Sequence, residues 1–189
     1  NAIFEFLSKK NPECAFLLEE RFLSPLIKVY FCKNTWSRQR KRTLGKILEH
    51  LMEAAASSRK ARLKKASVKK ISVLDVGCGS GNYYDNFKKR GLDNYIFYHG
   101  VDIAEKNVEN SKLFFPEAEF SVGNIYELNF PESSFDIVLV NHVFEHLDPE
   151  NLPMAFKEVL RVVRSLVIIN FFNEKDIADH VIERRQLYY

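Results

Sequence analysis

The chain has 189 residues, with 28 Lys/Arg against 25 Asp/Glu and a formal net charge of +3. That is enough for one domain with an added segment, large enough to fold without a disulfide or metal staple. Cys14, Cys32 and Cys78 lie far apart with no CxxC pair, which argues against a zinc ribbon or a disulfide framework, and no apolar run approaches the ~18 residues of a membrane-spanning helix.

Charge is distributed unevenly. Residues 1–70 carry 17 Lys/Arg and 6 Asp/Glu, whereas residues 71–189 carry 11 and 19. This divides the chain into a basic N-terminal segment, 1–70, and an acidic remainder, 71–189. The first 56 residues read as helical. AIFEFLSKK and PECAFLLEERFL space their apolar residues by three and four, and Trp36–Ala56 is the best helix, with Leu44, Ile47, Leu48, Leu51, Met52 and Ala55 on one face. The stretch 57–70, SSRKARLKKASVKK, holds seven basic residues and no acid, and reads as a solvated linker or basic helix end. Sequence begins at Asn1 with no signal-peptide pattern, so a cytoplasmic location is expected.

From residue 71 strands and helices alternate. Ile71–Val76 is expected as a buried strand and Tyr83–Arg90 as a helix ended by Gly91. Tyr95–Val101 follows as a strand, Ala104–Phe114 as a helix stopped by Pro116, and Ala118–Val122 as a short strand. Phe135–Asn141 and Leu166–Phe172 are apolar on both faces, and Leu152–Val163 lies between them as a helix. Two-faced strands between helices indicate a doubly wound, mainly parallel α/β sheet, whose ligands sit beyond the carboxyl ends of the strands.

Residues 71–84, ISVLDVGCGSGNYY, run such a strand into a loop with glycine at 77, 79 and 81. Glycine permits positive φ and lets a ligand touch backbone, and the following helix offers free N–H groups. Asp102 ends the next strand, where a carboxylate can accept from a ribose diol. A dinucleotide site would read G-x-G-x-x-G, but this loop is G-x-G-x-G with Asp75 two residues before it. A carboxylate there repels a pyrophosphate and suits an ammonium group.

VLDVGCGSG resembles the first motif of class I S-adenosylmethionine-dependent methyltransferases. The resemblance continues through GVDIAEKNVENSK, GNIYELNFPESSFDIVLVNHVFEHL and MAFKEVLRVV to LVIINF, about residues 71–172. It implies a Rossmann-like sheet of order 3-2-1-4-5, S-adenosyl-L-methionine as cofactor and methyl transfer to an O, N or C nucleophile. By the same resemblance, Asp75 and the backbone of Gly77, Cys78, Gly79 and Gly81 hold the methionine end. Asp102 binds the ribose, Ile103 packs on the adenine, and Asn124 with Ile125 lies where the family has an acid for the adenine amino group. Asn141 and His142 follow the fourth strand, where the family's chain passes under the sulfonium and methyl, with His142 as candidate base or substrate contact.

The string HVFEH, 142–146, also matches H-x-x-E-H of a group of zinc peptidases. His142, Glu145 and His146 further resemble the metal cluster of small-RNA 3′-end methyltransferases, with His180 as the one later histidine. Glu145 and His146 are weak metal candidates. Local hydrogen bonds at a helix start are the plainer reading, and no metal is expected. Cys78 reads as a loop filler.

A small molecule or a lipid or glycan precursor is the favoured acceptor. RNA is possible through the basic residues 38–70, with a non-catalytic binding module as a further alternative. Residues 1–70 would form a lid and substrate wall. The family sheet continues past its fifth strand, whereas here NEKDIADHVIERRQLYY reads as a helix. The fifth strand would then be an exposed apolar edge, so either the last strands are expected to be missing or another chain to cover that edge.

Overall fold

The computed structural model describes residues 28–33 and 70–171. The expected helix over 36–56, most of the basic stretch 57–70 and the C-terminal helix lie outside them. So does His180.

Among the described residues the strands and α-helices are, in chain order, β1 (Lys28–Lys33), β2 (Ile71–Val76), α1 (Asn82–Lys88), β3 (Ile96–Asp102), α2 (Glu105–Phe114), β4 (Glu119–Val122), β5 (Phe135–Asn141), α3 (Leu152–Val162) and β6 (Val163–Phe171). The strands form one sheet of order β1-β6-β5-β2-β3-β4, parallel at every pairing. Numbered from β2, the order is the anticipated 3-2-1-4-5.

Alternation within each strand feeds two cores. Leu74, Val76, Val138, Val140, Val167 and Ile169 face α3, which contributes Ala155, Phe156, Val159 and Val162. On the other face Val73, Ile137, Leu139, Leu166 and Ile168 pack with Tyr83, Tyr84 and Phe87 of α1 and Val108 of α2. This is why Ile137–Val140 and Leu166–Ile169 are unbroken apolar runs: both faces of these strands are inside. Arg161 of α3 fastens the approach to β5, donating to the carbonyls of Leu128 and Phe130 at 2.7 Å each and to Glu158.

Two expectations are overturned here. Lys28–Lys33 is a strand rather than part of a helical segment. It also pairs in parallel with β6 from Lys28↔Leu166 to Lys33↔Phe171, so β6 is not an exposed edge. The run KVYFCK holds β-branched and aromatic residues that favour extended chain. Its partner, however, is some 140 residues away in sequence, so periodicity along the chain could not reveal the pairing.

Candidate functional site

The chain leaves β2 toward β3 and β4 on one side and later returns to β5 and β6 on the other. The switch point therefore lies between β2 and β5, and the candidate residues gather at its carboxyl edge.

The glycine loop is folded onto β3. Gly77 and Cys78 both donate their N–H to the Val101 carbonyl, at 2.7 and 3.0 Å, and Gly79 donates to Asp102 Oδ2 at 2.8 Å. Gly77, Gly79 and Gly81 all have positive φ, which explains their type. They differ in surroundings. A Cβ on Gly77 would lie 2.3 Å from Val143 Cγ2, and one on Gly81 2.8 Å from Phe115. At Gly79 nothing stands within 4 Å. Its neighbour Cys78 is buried, and burial pushes its thiol pKa up, reinforced by Asp75 and Asp102, so it is no nucleophile.

Asp102 is 8% exposed and organises the edge. Besides Gly79, it accepts from the Ala104 N–H at 2.9 Å and from Asn107 Nδ2 at 3.1 Å, both on Oδ1. A carboxylate has about four acceptor sites. Three are used, and the fourth, on Oδ2, leaves room for one ribose hydroxyl rather than the anticipated two. Next to it Ile103 is 67% exposed, a bare apolar side chain at a strand end.

Asn124 lies beyond β4, its Oδ1 accepting from the Tyr126 N–H at 3.0 Å. Ile125, by contrast, is buried in the α3-side core.

Asp75 also departs from expectation. Its carboxyl is 0% exposed. Tyr98 donates to Oδ2 at 2.6 Å and Asn141 Nδ2 to Oδ1 at 3.2 Å. Burial raises its pKa from the ordinary 3.8 to about 7 against the opposing effect of these bonds. It therefore cannot contact an ammonium group in this arrangement. It anchors Asn141 instead. Asn170 Nδ2 in turn donates to Asn141 Oδ1. Tyr98, Asp75, Asn141 and Asn170 thus form a polar row across β3, β2, β5 and β6.

The row contains two residues, Tyr98 and Asn170, that sequence reasoning passed over. Their signal was a polar group inside an otherwise apolar strand, which requires a buried partner. Asn107 and Ser111, one turn apart on α2, were also missed. The Ser111 hydroxyl donates to the Gly79 carbonyl at 3.1 Å and so fastens the loop from behind.

His142 directly follows β5 with φ 57°. Its N–H donates to the Asn170 carbonyl at 2.9 Å, and its Nδ1 lies 3.1 Å from Glu145 Oε1. Among the described residues no three His, Cys, Asp or Glu side chains are grouped to hold a metal, so His142, Glu145 and His146 do not converge as such a site.

Residues 74–169 match the methyltransferase domain family. The chain belongs to the class I S-adenosylmethionine-dependent methyltransferases. The cofactor of this methyltransferase family is S-adenosyl-L-methionine. "Probable methyltransferase ltbC" of Aspergillus luteorubrus is 32% identical over 104 residues, 49% of this chain and 36% of its own. The 2-methyl-6-phytyl-1,4-hydroquinone methyltransferase of Synechocystis is 32% identical over 110 residues, 56% of this chain and 33% of its own. A ubiquinone biosynthesis O-methyltransferase of Neisseria meningitidis is 30% identical over 96 residues, 47% of this chain and 39% of its own. The chain spans less than half the length of these relatives. No helix of the described residues in this methyltransferase domain is long and apolar enough to cross a membrane.

Proposed function

We propose that this domain binds S-adenosyl-L-methionine at the carboxyl edge of β2, β3 and β4 and transfers its methyl group to a small molecule or a lipid or glycan precursor. One observation carries the reading. Open backbone at Gly79, the free acceptor site of Asp102 and the bare Ile103 are adjacent, and they fit an amino-acid end, a ribose and an adenine respectively.

The cofactor, when bound, supplies a methyl group already activated on a sulfonium, so the protein's work is alignment more than bond activation. The Gly77–Gly81 backbone lets the methionine end approach. Asp102 accepts from one ribose hydroxyl while its other bonds keep the loop on β3. Ile103 offers the adenine an apolar face, and Asn124 offers a side-chain amide near it. Asp75 acts at one remove, by holding Asn141 where β5 ends. His142 opens the wall beside the acceptor.

Two relatives' names support a small-molecule or lipid-precursor acceptor, one being a 2-methyl-6-phytyl-1,4-hydroquinone methyltransferase and the other a ubiquinone biosynthesis O-methyltransferase. Residues 1–70 give a strand to the sheet, and the rest of that segment is proposed as lid and substrate wall, with the protein acting in the cytoplasm. Isothermal calorimetry with S-adenosylhomocysteine and NAD tests the reading. Binding of the first alone is expected; binding of NAD alone would refute it.

A further inference from the structure

Three side chains of β3 and β4 form a polar group that the cofactor cradle does not use. The strands pair with His99 opposite Glu119 and Val101 opposite Ser121. Alternation therefore puts His99, Glu119 and Ser121 on one face of the sheet. Glu119 Oε2 lies 3.1 Å from His99 Nδ1, and Ser121 Oγ lies 2.7 Å from His99 Nε2. The ring is fixed by packing as well. Phe130 meets it edge-on at a centroid distance of 4.9 Å, and Phe135 at 6.3 Å.

A carboxylate only accepts hydrogen bonds. Nδ1 then carries the ring hydrogen, and the lone pair of Nε2 accepts from the Ser121 hydroxyl. Burial holds the His99 pKa below its ordinary 6.5, against the opposing pull of Glu119, and Lys112 of α2 also lowers it. The ring is thus neutral at neutral pH and able to take a proton. A hydroxyl bonded to a neutral imidazole, itself oriented by a carboxylate, is the arrangement of an activated serine nucleophile.

Access and room for a substrate are both present. β4 ends the sheet order of the described residues, and Ser121 is half-buried. At the amino edge of the sheet, away from the glycine loop, His99 and Glu119 line a cavity of about 620 Å³ together with Phe97, Phe130 and Phe135. Phe97 is 64% exposed. A cavity of this size with aromatic walls suits the apolar part of a small ester.

We propose that Ser121, His99 and Glu119 form a second site, with Ser121 as nucleophile, His99 as base and Glu119 as positioning residue, that hydrolyses small apolar esters. It does not rest on the methyl-transfer reading. Ser121 Oγ attacks the ester carbonyl carbon while its proton passes to His99 Nε2. The bond from that carbon to the alcohol oxygen breaks, and the departing alcohol takes the proton from Nε2. Water then attacks the acyl carbon with Nε2 taking its proton. The acid leaves, and Ser121 regains a proton from Nε2.

Labelling of the full chain with an aryl fluorophosphonate, read by peptide mass spectrometry, tests the nucleophile without any turnover. An adduct at Ser121 is expected, formed faster than at any other serine and absent from Ser121→Ala. His99→Gln should slow it by roughly 10²–10⁴-fold. No adduct at Ser121, or a rate like that of other serines, would overturn the nucleophile; undiminished labelling in folded His99→Gln would overturn the base. Glu119 is 82% exposed, so Glu119→Gln leaves the core untouched. It removes the anion that raises the His99 pKa, and the midpoint of labelling rate against pH should move to lower pH. An unmoved midpoint would remove Glu119 from the relay. Hydrolysis of 4-nitrophenyl esters by the wild type, lost in Ser121→Ala, is expected alongside. No hydrolysis, or hydrolysis that survives in Ser121→Ala, would overturn the activity.

Discussion

A Cβ at Gly77 would stand 2.3 Å from Cγ2 of Val143, so the loop after β2 and the loop after β5 touch through a glycine. Gly77→Ala adds this clash to the strain of φ 75°. Gly79 has the strain, φ 55°, without the clash. The two substitutions should therefore separate. Gly79→Ala should cost about 1–2 kcal/mol of stability, the left-handed penalty alone, yet weaken S-adenosylhomocysteine by tenfold or more because its methyl fills the open approach. Gly77→Ala should lower stability more than Gly79→Ala does. Denaturant unfolding and calorimetry on both variants check the contrast; equal stability losses would contradict it.

Asp102→Ala removes the acceptor of the Gly79 and Ala104 N–H groups together with the free site on Oδ2. Affinity for S-adenosylhomocysteine should fall by about 1–3 kcal/mol, and the melting temperature should fall too. An unchanged dissociation constant by calorimetry would remove Asp102 from the site.

Asp75 has a folded pKa of about 7, raised from the ordinary 3.8 by burial. A group whose folded pKa is raised holds its proton in the folded chain after the unfolded chain has released it. Its contribution to stability is complete below pH 3.8 and is lost as pH rises through about 7, a change of about 4 kcal/mol. Asp75→Asn cannot ionise. Its stability relative to wild type should improve by about that amount from pH ~4 to pH ~8. Urea unfolding of both proteins across the range measures it, and a pH-independent difference would show that Asp75 keeps an ordinary pKa.

Arg161 donates to two carbonyls before β5 and pairs with Glu158, itself an acceptor for the Leu128 N–H. These contacts lie at the amino end of β5, away from the carboxyl edge. Arg161→Ala should cost about 1–3 kcal/mol of stability, with S-adenosylhomocysteine affinity unchanged in the folded protein. A large loss of affinity at full stability would place the 128–133 segment in the site.

The sequence by itself determined the alternating sheet domain, its parallel character and the edge where the site lies. The reasons are local. Strands covered on both faces carry long apolar runs, and three positive φ angles in five residues favour glycine. Asp102 and Ile103 were legible because a strand end fixes where its next residue stands.

Direction of burial and long-range pairing needed the tertiary structure. Asp75 looked like a ligand group from its place beside the loop. The pleat instead turns it into the sheet, where Tyr98 and Asn141 satisfy it. Ile125 went into the core for a similar reason: its neighbours are set by packing against α3, not by its place after Asn124. Asn170 is 29 residues from Asn141 in sequence yet in register with it across the sheet, so only the β5–β6 pairing joins them. Pairing of β1 with β6 is the extreme case, since the ladder bonds that cover the edge are backbone groups common to every residue. A backbone donor carries no signature in the amino-acid sequence, and which strand it meets is decided by the fold as a whole.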